Sequence, residues 1–176
     1  MTKIIIISDS HGDLDNIRKI MKKEKDADAV IHLGDLIGQD EQLKEICKCP
    51  IYKVKGNGDF LSDNPISDVI EIAGNRIFIT HGHHYGVNYG LDKLYYAAQE
   101  MECNIAMYGH THVPDNSVYG GMIIVNPGSV SLPRQMNHKP TYAVMKVDEQ
   151  GRTDIRIQYV LKCYTKVVTG VANKIY

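Results

Sequence analysis

Seven side chains with metal-binding donor atoms come in five short clusters along this 176-residue chain. In order, the clusters are Asp9-Ser10-His11, Gly34-Asp35, Gly56-Asn57-Gly58-Asp59, His81-Gly82-His83 and Gly109-His110-Thr111-His112. The candidate ligands within them are Asp9, His11, Asp35, Asn57, His81, His110 and His112. Carboxylate, amide and imidazole donors without a thiolate suit manganese, iron or zinc better than a soft metal. The residue types therefore predict a metal site.

Each cluster comes directly after a run of apolar or β-branched residues. The runs are residues 4–7, 29–33, 51–54, 77–80 and 105–108. Runs of that length that end in Gly, Asp or His are typical of buried strands followed by short loops. In an open α/β sheet, the carboxyl ends of the strands form the edge where ligands bind. We therefore expect the five clusters to converge at one place.

Seven donors are more than one ion needs, because a catalytic zinc typically takes about three protein ligands and keeps one position open. If one carboxylate is shared, the set serves two ions at roughly 3.5–4 Å, which hold the attacking and the leaving oxygen of a phosphoryl displacement. Asp35 is the best shared ligand, since it is the only candidate in its cluster. Alone, Asp9-Ser10-His11 also fits a loop before a helix, and Gly34-Asp35 an ordinary turn. The metal interpretation rests on all five clusters together.

The order of the five clusters resembles the calcineurin-like metallophosphoesterases, with D-x-H, G-D, G-N-x-D, a single His before Gly, and G-H-T-H. The segment Asn-Pro-Gly-Ser-Val-Ser-Leu-Pro-Arg at residues 126–134 is similar to the small single-domain phosphodiesterase branch of that family. The resemblance runs from about Lys3 to about Val160, so it covers most of the chain. Each motif is weak alone, but all five in this order are a specific signal.

The resemblance also implies which residue binds which ion. One ion would be bound by Asp9, His11, Asp35 and His112, and the other by Asp35, Asn57, His81 and His110. Asp35, Asn57 and His110 would act in catalysis through the ions. The expected cofactor is two divalent ions, with Mn²⁺ favoured and Ni²⁺, Fe²⁺ or Zn²⁺ also compatible with the donors.

One position departs from the family pattern. Many members have histidine between the Asn and the Asp of the third motif, where it is thought to protonate the leaving group or hold the phosphate, and this chain has Gly58. General-acid help is typically worth about a hundredfold to ten-thousandfold, so the chain should favour good leaving groups. His83 and His84 are candidate substitutes on the loop of the fourth cluster. For the substrate phosphate, Arg134 suits a bidentate contact, and Asn57, His83 and Asn126 are further candidates.

The sequence thus predicts a dinuclear metal-dependent phosphodiesterase that hydrolyses small phosphodiesters by attack of a metal-bridging hydroxide. Two alternatives stay open. One is a phosphomonoesterase with the same ligands, and the other is a non-catalytic binding scaffold, because the retromer subunit of this fold works as an interaction module. The complete set of seven donors favours catalysis.

Composition narrows the partners. Twenty basic and twenty-one acidic residues leave a net charge of −1, so a polymeric nucleic-acid partner is not expected. The first apolar run is short and has no cleavage-site pattern, so neither a signal peptide nor a membrane span is expected, and the cytoplasm is the expected location. Cys47, Cys49, Cys103 and Cys163 are unevenly spaced, so reduced thiols are expected. The tyrosines near residues 85–96 are compatible with a homo-oligomer.

The remaining pattern predicts an α/β fold in which two mixed β-sheets pack as a sandwich flanked by helices. The resemblance implies the same four-layer α/β/β/α arrangement. Helices are predicted near residues 13–25, 40–47 and 90–101, a hairpin near 69–79, and strands at 122–125, 141–147 and 155–161. One domain is expected at residues 1–161, and residues 162–176 form a C-terminal tail without an assigned structure.

Overall fold

The computed structural model describes residues 1–160 as strands and helices that alternate much as predicted. The strands are β1 Thr2–Ile7, β2 Ala29–His32, β3 Ile51–Lys53, β4 Ser67–Ile72, β5 Asn75–Thr80, β6 Ile105–Met107, β7 Asp115–Tyr119, β8 Met122–Asn126, β9 Thr141–Val147 and β10 Thr153–Tyr159. The helices are α1 Asp15–Lys23, α2 Asp40–Ile46 and α3 Asp92–Glu100, and a 3-10 turn covers His83–Tyr85. The last residue of the final predicted strand and the predicted tail, residues 161–176, lie outside the described residues.

Two mixed five-stranded sheets form the centre of the protein. Sheet A has the order β10-β9-β1-β2-β3, in which β1, β2 and β3 are parallel, β9 is antiparallel to β1 and β10 to β9. Sheet B has the order β4-β5-β6-β8-β7, in which β5, β6 and β8 are parallel and the two edge strands are antiparallel to their neighbours. The predicted two-sheet architecture is confirmed.

Strand β1 shows why the fold has four layers. Successive side chains of a strand point to opposite faces, and β1 is apolar on both. Ile4 and Ile6 are buried in the core between the two sheets, whereas Ile5 and Ile7 are buried with residues of α1 and α2 on the outer side of sheet A. On the outer side of sheet B, α3 packs through the fully buried Leu94. A strand covered on both faces is a continuous apolar run, which is what the sequence shows.

Both hairpins of sheet B have two-residue turns. Ala73 and Gly74 connect β4 to β5, Gly120 and Gly121 connect β7 to β8, and all four residues have positive φ, as a type I′ turn requires. The first hairpin confirms the prediction. Strand β7 was not predicted, because three of its five residues are Asp, Asn and Ser, which are poor strand formers. The Gly-Gly dipeptide that follows it is nevertheless a known hairpin signal.

Two further properties concern the helices and the cysteines. Among residues 1–160, no helix combines the length and the apolar character needed to cross a membrane. Cys47, Cys49 and Cys103 are free thiols. Burial raises the pKa of Cys47 to about 12, so this thiol stays protonated at neutral pH and is unreactive.

Ile4→Ala should lower the free energy of unfolding by about 2–5 kcal/mol, because Ile4 is fully buried between the sheets and the smaller side chain leaves a cavity. Val118→Ala is the matched control, since Val118 is 71% exposed on an edge strand, and it should change stability by less than about 0.5 kcal/mol. Urea titration followed by circular dichroism measures both. Equal shifts of the two midpoints would contradict the placement of Ile4.

Candidate metal centre

The five predicted clusters meet at the carboxyl ends of strands from both sheets. Asp9 and His11 follow β1, Asp35 follows β2, Asn57 follows β3, His81 follows β5, and His110 and His112 follow β6. Five of these residues form two groups whose ligand atoms lie within 4.8 Å of one another, Asp9-His11-His112 and Asp9-Asp35-His81. The expected convergence is therefore observed for these five side chains.

Asp9, His11 and His112 form the first group. His112 Nε2 lies 3.1 Å from Asp9 Oδ1 and 3.2 Å from His11 Nε2. His11 Nε2 lies 3.9 Å from the same Asp9 oxygen. Three donor atoms therefore surround one small space at the end of β1.

Asp35 and His81 extend this space towards sheet B. His81 Nε2 lies 3.6 Å from Asp35 Oδ2 and 3.9 Å from Asp9 Oδ1. Asp35 Oδ2 also lies 3.7 Å from His11 Nε2. The Asp35 oxygen is thus nearly equidistant from one histidine of sheet A and one histidine of sheet B.

Backbone N–H groups orient both carboxylates. Gly58 N–H donates to Asp35 Oδ1 at 2.7 Å, and His110 N–H donates to Asp9 Oδ2 at 3.1 Å. Each carboxylate therefore has one oxygen held by the main chain and the other directed at the imidazoles. A hydrogen-bonded carboxylate of this kind is typical of the surroundings of metal ligands.

Two histidines have their tautomer set by backbone carbonyls. His81 Nδ1 lies 2.6 Å from Leu33 O, and His112 Nδ1 lies 2.6 Å from Leu132 O. Since a carbonyl only accepts, both Nδ1 atoms must donate, and the neutral rings present a lone pair on Nε2. Those Nε2 atoms are the ones that face Asp9 and Asp35. A carboxylate oxygen and a lone pair in contact require a proton or a metal ion between them.

Unpartnered buried atoms show that the residues fit a metal. The buried His81 Nε2 has no hydrogen-bond partner within the part of the chain that the structure describes, and the buried Asp9 Oδ1, whose near neighbour is His112 Nε2, lies 3.9 Å from it. Leaving a buried polar group unsatisfied costs about 1–3 kcal/mol, and such groups are rare. A divalent cation at this position would satisfy both atoms at once.

The protonation states agree with metal binding. Burial would raise the pKa of Asp9, but the hydrogen bond to His112 and the charges of His81 and His112 outweigh it and hold the pKa below its ordinary value. Burial lowers the pKa of His11 and of His110. At neutral pH the carboxyl is therefore ionised and these two imidazoles are neutral, which are the forms that bind metals.

His112 behaves differently, because it shares a proton with Asp9. Burial lowers the pKa of His112, but the hydrogen bond to Asp9 and the charge of Asp9 raise it more, so the net pKa lies above its ordinary value. A metal ion bound by this pair must displace that proton. Metal affinity should therefore fall as the pH is lowered.

The backbone of the site is unusual. Asp9, His11, Asp35, His110 and His112 all have φ between 46° and 68°, a left-handed conformation that is uncommon for residues with a side chain. Such residues cost about 1–3 kcal/mol each and cluster at functional sites, where the surrounding structure holds them in place. Here the conformation turns each side chain sharply at the end of its strand.

Glycines allow the loops to approach one another. A Cβ atom at Gly109 would lie 2.9 Å from Asp9 Oδ2, and one at Gly56 would lie 2.8 Å from Asp35 Cγ. Both distances are too short for real side chains, and both atoms belong to candidate ligands, although a Cβ at Gly109 would also clash with the Ser8 hydroxyl. The glycines of the motifs are therefore required by the close approach of the backbone to the carboxylates.

The other predicted residues lie around this centre. His110 is half-buried, with its ring centroid 5.1 Å from that of His81. Asn57 is exposed and lies directly before Gly58. His83 has ring centroids 5.4 Å from His81 and 6.0 Å from His110, and burial together with the neighbouring histidines lowers its pKa to about 4.

Arg134 is exposed, and its backbone N–H donates to His112 O at 3.1 Å. Asn126, the other candidate from the same segment, has a structural role instead. Its amide donates to Gly109 O and Thr111 Oγ1, and its oxygen accepts from Gly128 N–H. Because these bonds use both amide hydrogens and the oxygen, the side chain holds the His110–His112 loop and is not available for a phosphate.

Asp59 was included in the third cluster without a role, and the structure reveals one. Its buried carboxylate accepts from three backbone N–H groups, those of Asp35 at 2.7 Å, Ile37 at 2.6 Å and Gly56 at 2.8 Å. It therefore joins the loop after β2 to the loop after β3 and positions Asp35. The only indication in the sequence was the position of Asp59 three residues after Gly56. A metal ligand at that position would show the same spacing, so the sequence does not distinguish the two roles.

Ser129 and Ser131 were also not predicted as part of the site. Both hydroxyls donate to Asp9 O, at 2.8 and 3.0 Å. The Asn-Pro-Gly-Ser segment therefore supports the main chain of the first candidate ligand. Its resemblance to a known motif was a signal for a role at the site, but it gave no indication of which atoms are contacted.

Comparison with known proteins shows a family to which most of this chain is similar. A profile of the calcineurin-like phosphoesterase superfamily domain matches residues 2–150. The probable metallophosphoesterase YsnB of Bacillus subtilis is 32% identical over 151 residues, which is 85% of this chain and 87% of the relative. A phosphodiesterase of Methanocaldococcus jannaschii is 31% identical over 175 residues, 89% of this chain and 99% of the relative. A predicted phosphoesterase of Streptococcus pneumoniae has a crystal structure with a TM-score of 0.74 and 34% identity, covering 89% of this chain and 98% of that one.

Asp59→Asn should reduce metal content even though Asp59 is not a candidate ligand. The amide has one acceptor oxygen, so at least one of the three backbone N–H groups loses its partner, at about 1.5–3 kcal/mol for a bond to a charged group, and Asp35 loses its position. Asp63→Asn, in the same loop but exposed, is the control and should keep its metal. Metal analysis of both purified variants decides. Equal metal content in Asp59→Asn and wild type would contradict the positioning role.

Proposed function

The chain belongs to the calcineurin-like phosphoesterase superfamily, and from this premise we propose that it is a dinuclear, metal-dependent phosphodiesterase for small phosphodiesters. It is a hydrolase that acts on phosphoric ester bonds, as its relatives are. The observation that carries the proposal is the cluster of buried acceptors, above all His81 Nε2, which has no hydrogen-bond partner among the described residues and lies 3.9 Å from Asp9 Oδ1.

The donor set divides between two ions. Asp9, His11, Asp35 and His112 would bind one, and Asp35, Asn57, His81 and His110 the other. The position of Asp35 Oδ2, at 3.7 Å from His11 Nε2 and 3.6 Å from His81 Nε2, supports Asp35 as the shared ligand. Asp9 Oδ1 is closer to His112 than to either of those histidines, which supports the assignment of Asp9 to the first set.

The bound ions would supply an activated water and neutralise the charge that develops on phosphate oxygens. The donors contain no thiolate, which favours Mn²⁺ while remaining compatible with Ni²⁺, Fe²⁺ or Zn²⁺. The chain itself supplies preorganisation. The N–H groups of Gly58 and His110 hold the carboxylates, and the carbonyls of Leu33 and Leu132 hold the imidazoles, so little has to move when a substrate binds.

The substrate would be a diester with a good leaving group. Gly58 offers no acid at the position where the family often has histidine, and the loss of general-acid help is worth about a hundredfold or more. His83, neutral at pH 7 because burial lowers its pKa to about 4, can donate or accept a hydrogen bond but is a weak source of protons. Arg134 is exposed beside the His112 loop and would contact the phosphate.

Removal of the metal should abolish hydrolysis of bis(4-nitrophenyl) phosphate, and added Mn²⁺ should restore it, because no described side chain replaces the ions. The release of 4-nitrophenol from chelator-treated protein, with and without added metal, measures this. The same assay with 4-nitrophenyl phosphate shows whether the protein is instead a monoesterase. Unchanged turnover after confirmed metal loss contradicts the proposal, and no turnover of either ester at full metal content identifies a binding scaffold.

Asp35→Asn should retain less metal than Asp9→Asn, because a shared carboxylate contributes to both ions and Asp9 to one. The ratio of metal to protein after gel filtration, measured for both variants at the same pH, gives the comparison. Circular dichroism checks that both are folded. Equal metal content in the two folded variants would argue against Asp35 as the shared ligand.

A further inference from the structure

Three exposed apolar side chains lie together beside the candidate metal centre. Ile37 is 41% exposed, Phe60 is 89% exposed and Leu61 is 100% exposed. We call these three residues the apolar rim. The rim lines a cavity of about 330 Å³, whose other lining residues are Gly38, Asp40, Gly58, Asp59 and Ser62. Single exposed apolar residues are common, but several that line one cavity indicate a binding surface.

The rim is continuous with the metal centre through Gly58 and Asp59. Gly58 N–H donates to Asp35 Oδ1, and the Asp59 carboxylate accepts from the N–H groups of Asp35 and Ile37. Ile37 has a φ of 59°, which for a β-branched residue is an outlier that persists only when neighbours hold it. The same carboxylate thus positions Asp35 at the metals and Ile37 at the cavity.

The apolar rim fills the space that a side chain at position 58 would need. A Cβ atom at Gly58 would lie 2.7 Å from Ile37 Cδ1. The φ of Gly58 is negative, so this residue is not in the left-handed region. A side chain at this position would therefore crowd Ile37 and also Asp35 Oδ1, which lies 3.1 Å from the same Cβ position, whereas the backbone conformation does not oppose it. Many relatives would have an imidazole at this position, whereas this chain has the apolar side chain of Ile37 beside it.

The two carboxylates that line the cavity are already engaged. Asp40 is paired with Lys53 and accepts a hydrogen bond from Asn64. The Asp59 carboxylate accepts three backbone N–H groups. A ligand in the cavity therefore meets apolar side chains, and an apolar group is the chemistry that gains by binding there.

We propose that the apolar rim binds the organic group of the substrate, so that the physiological substrates are phosphate esters with an aryl or branched alkyl substituent. The proposal rests on the proposed function, since it assigns the phosphate to the metals and the apolar group to the rim. The substituent would lie next to Gly58, which lines the cavity and donates its N–H to Asp35 Oδ1.

Phenylphosphonate and methylphosphonate test this, because both carry the phosphate-like group and differ in the apolar one. Each is used as a competitive inhibitor of bis(4-nitrophenyl) phosphate hydrolysis by the Mn²⁺-loaded protein. Wild type should prefer phenylphosphonate by at least about tenfold, and the double variant Phe60→Ser/Leu61→Ser should reduce this preference to less than about threefold. The two phosphonates differ in intrinsic metal affinity by the same factor in every variant, so the change in preference reports on the rim.

Val118→Ser is the matched control, because Val118 is an exposed apolar residue on β7 that does not line the cavity, and it should keep the wild-type preference.

Calorimetric titration of both phosphonates gives the same ratio without turnover. A protein that binds them with the expected preference but hydrolyses no ester contradicts the proposed function and supports the rim. A preference near one in wild type, or unchanged in the double variant, overturns the rim proposal. If the double variant dissociates an oligomer in size-exclusion chromatography and keeps the wild-type preference, the rim is an interface between copies and the proposal is overturned.

Discussion

Buried acceptor atoms that face one another are the constraint on which the site and its supporting loops depend. Asp9 and Asp35 each direct one carboxylate oxygen at imidazole nitrogens whose lone pairs are fixed by backbone carbonyls. In a medium of low dielectric constant, such groups repel one another and are costly to bury unless a proton or a cation lies between them. The protein holds them together through main-chain hydrogen bonds, and a divalent cation is the ligand that converts the repulsion into attraction. The chemistry of the site and the architecture of the loops therefore have one cause.

The loops meet this constraint through the backbone. Five candidate ligands adopt left-handed conformations directly after their strands, and the adjoining glycines admit the main chain within contact distance of the carboxylates. Asp59 and Ser129 then connect neighbouring loops by accepting and donating backbone hydrogen bonds. Each loop conformation is unfavourable alone and is maintained by the others, so the site is rigid because its parts are mutually dependent.

The sequence predicted the structure correctly where a residue type has one common structural role. Apolar runs such as residues 4–7 predicted buried strands, and donors at their ends predicted convergence at one edge. It was uninformative where one residue type has two uses. Asp59 and Asp35 both follow a glycine in a loop, but one accepts backbone N–H groups and the other faces histidines, and only the tertiary contacts distinguish them. Strand β7 was missed for a similar reason, because its polar residues are stabilised by pairing with β8 and not by their own propensity.

The site takes its donors from both sheets, and this has a consequence for folding. His11 follows a strand of sheet A and His112 a strand of sheet B, and their facing nitrogens are 101 residues apart in the chain and 3.2 Å apart in space. A chain in which the two sheets are formed but not yet docked lacks the full set of donors, so it would bind a metal weakly. Because ligands that bind only the native state shift the equilibrium towards it, a metal bound at this site would favour completely assembled molecules over partly folded ones. Metal binding would in this way be coupled to the docking of the two sheets.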